Sequence, residues 1–240
     1  MLLVERGLAE SRSRAQALIM AGVVYSGERR IEKPGDSLAS DASLRVLEPP
    51  RFVSRGGDKL EAALVAFADH GLVTDGRIGV DVGASTGGFT DCLLQRGAAK
   101  VYAVDVGWGQ LHPRLRGDPR VVVMERTNAK DLTAASFAER VELVVVDASF
   151  IGIGKLMPAI AGFSPKGGEL VALVKPQFEA GREEVARGRG VIRDGAVRAA
   201  AIARAVAEIE ASGFEVVSGI DSPLAGPKGN LEHLVFARRR

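Results

Sequence analysis

The chain has 240 residues, with 32 Lys and Arg against 30 Asp and Glu and a formal charge of +2. Hydrophobic residues make up 46% and charged residues 26%, a globular usage that excludes wholesale disorder and gives no reason by itself to expect a nucleic-acid partner. No apolar run approaches the roughly 18–20 residues of a membrane span, the opening MLLVERGLAE is charged too early for a secretory signal, and one cysteine, Cys92, excludes a disulfide framework or thiolate cluster; a cytoplasmic protein is expected.

Residues 1–48 read as a small unit. Ser11 caps a helix with apolar positions at Ala15, Leu18 and Ile19. Val23-Val24-Tyr25 and Leu44–Leu47 read as strands, with turns at Ser26-Gly27-Glu28 and Lys33-Pro34-Gly35-Asp36. Residues 49–53, opening with Pro49-Pro50-Arg51, read as a linker, and Phe52 is expected to pack between domains. From 54 to 240 the pattern alternates. Helices are expected at Asp58–Ala68, Phe89–Arg96 and Ala196–Ala211. Strands are expected at Ile78–Val82, Val101–Val104, Val121–Met124, Leu143–Val146, Leu170–Val174, Phe214–Val217 and Leu234–Ala237. Strands alternating with helices predict an α/β domain with a parallel, doubly wound sheet. Residues Phe178–Asp194, rich in Arg and Gly, read as a mobile loop, and Arg238-Arg239-Arg240 as a frayed tail.

The turn Gly83-Ala84-Ser85-Thr86-Gly87-Gly88 follows a strand and opens a helix, where open α/β sheets bind ligands. Glycine there lets backbone approach a ligand, although a plain tight turn would look the same. Asp105 ends the next strand and suits both hydroxyls of a ribose, or a helix cap. The turn lacks the second glycine of GxGxxG, which a pyrophosphate wants. This favours a ligand without phosphates, such as S-adenosyl-L-methionine, over NAD. Asp147 and Lys175 each end a buried apolar strand and should face the same cleft, while Lys59 opens the first helix of the domain and Glu232 precedes the last strand. Singly, each could be a solvated charge or a cap.

Long motifs carry a resemblance to a known family. They are Val53-Ser54-Arg55-Gly56-Gly57-Asp58-Lys59-Leu60, Asp81-Val82-Gly83-Ala84-Ser85-Thr86-Gly87-Gly88-Phe89-Thr90, Val104-Asp105-Val106-Gly107-Trp108-Gly109-Gln110-Leu111, Val146-Asp147-Ala148-Ser149-Phe150, Val174-Lys175-Pro176-Gln177-Phe178-Glu179-Ala180-Gly181 and Gly229-Asn230-Leu231-Glu232. The chain resembles the TlyA family, ribosomal RNA 2′-O-ribose methyltransferases, also named haemolysin A, with an FtsJ-like catalytic domain. The resemblance implies a Rossmann-like S-adenosylmethionine-dependent methyltransferase sheet over 54–240. It implies a catalytic set of Lys59, Asp147, Lys175 and Glu232. It places Asp81, Gly83, Ala84, Ser85, Gly87, Gly88, Phe89, Asp105, Val106 and Asp147 around the donor, with Asn128 on the adenine side. Residues 1–48 are similar to the α+β RNA-binding domain of small-subunit ribosomal protein four, through Arg6–Arg12 and Ala17–Val24. The family's lead with an Arg-Leu-Asp turn is not seen before Met1-Leu2-Leu3, which is expected to mean either a misassigned start or a short first helix and bears on RNA affinity.

Methyl transfer to a ribose hydroxyl is an in-line displacement in which positioning supplies much of the rate. Lys175 is the expected base or steering group, helped by the like charge of Lys59. Asp147 would orient Lys175, and Glu232 would hold Lys59 or the ribose. No metal-ligand spacing is present. Ribosomal RNA or ribosomal subunits are the expected partner, with Arg6, Arg12, Arg14 and Arg55 as the expected RNA contacts and Arg29, Arg30 and the arginines of 182–193 as further candidates. Trp108 is expected either to stack on a base or to pack, and Cys92 to be a small core residue. Other readings are a catalytically silent RNA-binding or assembly factor, a membrane-active haemolysin and an NAD oxidoreductase.

Overall fold

The structure is a computed structural model that describes residues 2–39, 41–47 and 50–240. Chain contacts divide it into two compact units, Met1–Arg51 and Phe52–Arg240. Of the linker expected at 49–53, Pro49 lies outside the described residues. Phe52 is buried among Leu60, Ala63 and Phe89 in the core of the second unit, which corrects its expected place between domains.

The first unit holds α1 (Leu2–Glu5), α2 (Arg12–Met20), β1 (Val24–Ser26), β2 (Arg29–Arg30) and β3 (Leu44–Val46). Ser11 caps α2 by accepting from the Arg14 amide at 3.1 Å. The strands form an antiparallel sheet in the order β2-β1-β3. Leu3, Ala15, Leu18, Ile19, Val24 and Ile31 make its core. The Arg29–Arg30 strand is unforeseen because two exposed arginines show no apolar alternation.

The second unit runs α3 (Arg55–Ala66), β4 (Ile78–Val82), α4 (Gly88–Gln95), β5 (Lys100–Val104), α5 (Pro113–Arg116), β6 (Val121–Met124), β7 (Leu143–Val146), α6 (Met157–Phe163), β8 (Glu169–Val174), α7 (Pro176–Glu179), α8 (Arg182–Arg187), α9 (Gly195–Ala211), β9 (Phe214–Asp221) and β10 (His233–Arg239). The seven strands lie in the order β6-β5-β4-β7-β8-β10-β9. β4 through β8 pair in parallel, whereas β10 enters antiparallel between β8 and β9. Reversal of the last strand departs from an all-parallel sheet. Leu143–Val146 of β7 and Leu170–Val174 of β8 read as unbroken apolar runs because both faces are covered. One face packs on Met157, Ile160, Ala205 and Ile209, the other on Leu60, Leu64, Cys92 and Leu93.

Two further expectations are corrected. Residues 178–194 contain α8 and the end of α7 rather than a loop alone. Arg238 and Arg239 belong to β10, and Arg238 donates to Glu169 at 3.1 Å and to the His70 carbonyl at 2.6 Å. They are not a frayed tail, since their side chains bond to neighbouring elements.

β10 seals the core where Phe236 stacks on Phe67 with centroids 5.5 Å apart. Phe236→Ala is expected to destabilise the second unit by roughly 3–5 kcal/mol, because the buried ring leaves a cavity that rigid strands cannot close. Urea unfolding followed by circular dichroism checks this; a loss under about 1 kcal/mol would show that the site collapses freely.

Candidate functional site

The order of strand addition reverses between the parallel neighbours β4 and β7, the switch point at whose carboxyl ends a parallel sheet leaves a crevice. There Gly83 adopts φ +86°, and a Cβ on it would stand 2.9 Å from the Asp147 carbonyl oxygen. Glycine is therefore required for the β4 turn to pass under β7. Ser85 takes φ +48° and donates its amide to Asp105 Oδ2 at 2.7 Å, while the Gly107 amide reaches Oδ1 at 2.7 Å. Both carboxylate oxygens of Asp105 are thus aimed by backbone and retain lone pairs for a ligand.

A cleft of about 400 Å³ opens over these residues, lined by Gly83, Asp105, Val106, Asn128, Asp147 and Phe150 among others. A second, of about 280 Å³, is lined by Arg55, Lys59, Asp81, Ala84, Gly88, Phe89, Lys175 and Glu232. The two share Gly83, Ser85, Asp147 and Ser149, so they meet at one lip. A third, of about 350 Å³, continues past Lys175 and Glu232 between Phe150 and Phe178. Phe150 is 91% exposed, and its ring lies 5.4 Å from that of Phe178.

The four charges predicted to converge do so, as two ion pairs. Lys175 Nζ stands 2.7 Å from Asp147 Oδ1 and donates to Ser149 Oγ at 2.8 Å. Lys59 Nζ donates to Glu232 Oε2. Lys59, Lys175 and Glu232 are buried. Each long side chain thus spends its charge on one opposite partner, which is the condition for burying it at all.

Asp81 lies on β4 beneath the lip and is fully buried. Its Oδ2 accepts from the amide and hydroxyl of Thr90 at 2.9 and 2.7 Å, while Oδ1 has no hydrogen-bond partner. Burial raises its carboxyl to about 7, with the charges of Asp147 and Asp105 adding to the rise against the Thr90 bonds. A buried acceptor left open beside a cleft is a place for a cationic donor group.

The remaining expected residues divide. Val106 and Asn128 line the first cleft, and the Asn128 side chain also accepts from the Lys130 amide at 3.1 Å. Gly87 lines neither cleft. Its φ of +98° starts α4, and a Cβ there would lie 2.3 Å from Leu115. Gly88 lets α3 approach, since a Cβ would stand 2.8 Å from the Gly57 amide. Arg6, Arg12 and Arg14 are exposed on the first unit, and Arg6 donates to the Ala42 carbonyl. Trp108 is 68% exposed with Arg126 over its ring at 5.1 Å, so it is not a core residue, whereas Cys92 is one. Ser149, Gln110 and Phe178 stand within the motifs of the resemblance, but the sequence assigns them no site role. Ser149 carried a signal, its place two residues after a strand-ending aspartate; Gln110, which accepts from Ser85 Oγ at 3.2 Å, carried none. Among the described residues no group of three His, Cys, Asp or Glu is placed to hold a metal, and no helix is long and apolar enough to cross a membrane.

Folding raises the Asp81 carboxyl above its ordinary value of 3.8, so its stability contribution is intact below pH 4 and falls as pH rises toward 7. Asp81→Asn is expected to remove that fall. The stability of the variant relative to the wild type should climb between pH 4 and 7, by at most roughly 4 kcal/mol, then stay level. Thermal melts across pH check it; a difference independent of pH contradicts it.

Residues 52–239 match the FtsJ-like methyltransferase family. The chain is 45% identical over 238 residues to the 16S/23S rRNA (cytidine-2′-O)-methyltransferase TlyA of Mycobacterium tuberculosis, covering 98% of this chain and 87% of that protein. It is 43% identical to Hemolysin A of Brachyspira hyodysenteriae, covering 95% and 94%. A solved protein from Streptococcus thermophilus, named as a hemolysin, superposes with a TM-score of 0.77 at 40% identity, covering 99% of this chain and 86% of the other. The chain belongs to the TlyA branch of the FtsJ-like methyltransferases, enzymes built on a Rossmann-like sheet.

Proposed function

We propose that this enzyme transfers a methyl group from S-adenosyl-L-methionine to the 2′-hydroxyl of a ribose in ribosomal RNA, with cytidine as the nucleoside. The observation that carries the proposal is the meeting of two ion pairs whose ammonium groups are buried, Lys175–Asp147 and Lys59–Glu232, at a lip shared with the Asp105 cleft. The residues present fit the donor. Asp105 offers an aimed carboxylate to ribose hydroxyls, Gly83 brings the β4 turn to the lining of both clefts, and Asp81 offers an open buried oxygen to an ammonium. Asn128 and Val106 would flank the adenine. When bound, S-adenosyl-L-methionine supplies a methyl group on a positively charged sulfur as the electrophile.

The acceptor ribose enters from the second cleft. Lys175 is the base or steering group for the 2′-hydroxyl, whose oxygen would bond to the methyl carbon as the carbon–sulfur bond of the donor breaks. Asp147 holds the Lys175 side chain, and Ser149 Oγ fixes the direction of Nζ. Lys59, kept in place by Glu232, stands on the other side of the lip as a hydrogen-bond donor to the ribose. The third cleft, walled by Phe150 and Phe178, gives the attached base an aromatic surface on which to stack. Arg55 lines the acceptor cleft and Arg6, Arg12 and Arg14 supply phosphate contacts on the first unit, which we read as an RNA-binding domain related to small-subunit ribosomal protein four. Such a substrate places the enzyme in the cytoplasm, where ribosomes are made.

Purified enzyme is expected to move tritium from labelled donor into unmodified ribosomal subunits or free rRNA, with the label mapping to a 2′-oxygen of cytidine. Lys175→Ala should lower the transfer rate by roughly 10³-fold or more while calorimetry shows donor affinity within about twofold of the wild type. Label on a base atom, or a near-normal rate in the variant, contradicts the proposal.

A further inference from the structure

Glu232 reaches the site from an awkward place. The residue lies outside helix and strand, one position before β10 begins, yet its carboxylate must stay on Lys59. A side chain with three free torsions keeps such a contact only if its backbone is anchored. One anchor is local, since the Ser222 amide donates to the Glu232 carbonyl at 3.0 Å. The other comes from α9. Arg198 Nε donates to the Leu231 carbonyl at 3.1 Å, and Nη2 lies 3.5 Å from the Glu232 carbonyl. The same Nη2 bonds to Asp221 Oδ1, which also meets His233 Nδ1 at 2.7 Å. Arg198 lines none of the three clefts.

We infer that Arg198 is a positioning residue for methyl transfer, a clamp that grips the carbonyls of Leu231 and Glu232 and thereby keeps the Glu232 carboxylate on Lys59. The inference rests on the function proposed above for Lys59 and Glu232. Its physical basis is the guanidinium fork. Two donor nitrogens at a fixed angle serve three acceptors at once, the two carbonyls below and the carboxylate of Asp221 beside them. A lysine ammonium has the charge but not the plane, and cannot hold both directions. The clamp stands on a rigid base, because Arg198 lies in the first turn of α9, whose Asp194 cap accepts from the Ala196 and Val197 amides at 2.8 and 3.3 Å. On the other side of the segment Asn230, also buried, accepts from the Ile192 amide and donates to the Gly190 carbonyl, both at 2.9 Å. Residues 190–198 therefore form the seat on which the Glu232 segment rests. The ion pair with Asp221 is not what matters most: that carboxylate is 61% exposed, and pairs so screened contribute little. The carbonyl bonds are the functional part.

Arg198→Lys, Arg198→Met and Asp221→Asn in the full chain separate these contributions. Labelled transfer into rRNA is measured for kcat and KM, donor affinity by calorimetry, and amide hydrogen exchange over residues 222–233. Both Arg198 variants are expected to lose roughly 10–100-fold in kcat with KM and donor affinity within about twofold, the size of effect that follows from displacing a reacting group by about 1 Å. Exchange at Ser222, whose amide bonds to Glu232, should speed up about tenfold while the later turns of α9 stay protected. Asp221→Asn, which keeps an acceptor for Nη2, should change kcat by less than about threefold. An unaltered exchange pattern at Ser222, or a kcat within twofold of the wild type in the Arg198 variants, overturns the inference. Should Arg198→Met fail to fold, Arg198→Lys retains charge and stem and decides alone. Should the wild type transfer no methyl group to RNA, the functional reading fails, while exchange at Ser222 still decides whether the clamp exists.

Discussion

Burying an ammonium is unfavourable by several kcal/mol unless an opposite charge goes with it. This constraint organises the second unit. Lys59 and Glu232 are separated by 173 positions and Asp147 and Lys175 by 28, yet each buried cation ends on its carboxylate. For that to hold, α3 must pack over the start of α4, β7 and β8 must stay in register, and the segment before β10 must be pinned. Gly88 permits the first, the apolar strand runs secure the second, and Arg198 with Asn230 provides the third. A buried ion pair is a weak source of stability compared with well-packed apolar residues. Two such pairs at the lip of adjoining clefts are better explained by chemistry than by folding.

Much of this was readable from the chain because of how a parallel sheet buries its strands. Both faces are covered, so Leu143–Val146 and Leu170–Val174 are unbroken apolar runs, and the charge that ends each run stands at the ligand edge. Asp147, Lys175, Asp105 and Gly83 are legible for that reason. The pairing of Lys59 with Glu232 is not legible from spacing, since neither residue ends a strand and no periodicity links positions so far apart; the family resemblance supplied the grouping. The reversed β10 was hidden because an antiparallel strand buried on both faces has the same composition as a parallel one. The short helices α5 to α8 show too few turns for a periodic pattern. Arg238 and Arg239 look like a basic tail in sequence and are strand residues because Glu169, His70 and Gly213 take their guanidinium donors.

The glycines of the β4 turn illustrate how one motif serves two needs. Gly83 sits at the ligand edge, where any side chain would strike Asp147. Gly87 and Gly88 face inward, one beneath Leu111 and Leu115 and the other against α3. A motif taken whole as a donor cradle is thus partly a packing device, and the two roles are coupled, because the close approach of α3 is what delivers Lys59 to the lip.

The most direct test of the account is a crystal structure of the enzyme with S-adenosyl-L-homocysteine. The account predicts the ribose hydroxyls on Asp105, the sulfur at the lip beside Gly83 and Asp147, and both ion pairs intact with Lys175 facing the sulfur. A ligand sulfur lying away from that lip, or an ammonium of Lys175 or Lys59 turned out of the cleft, would contradict it.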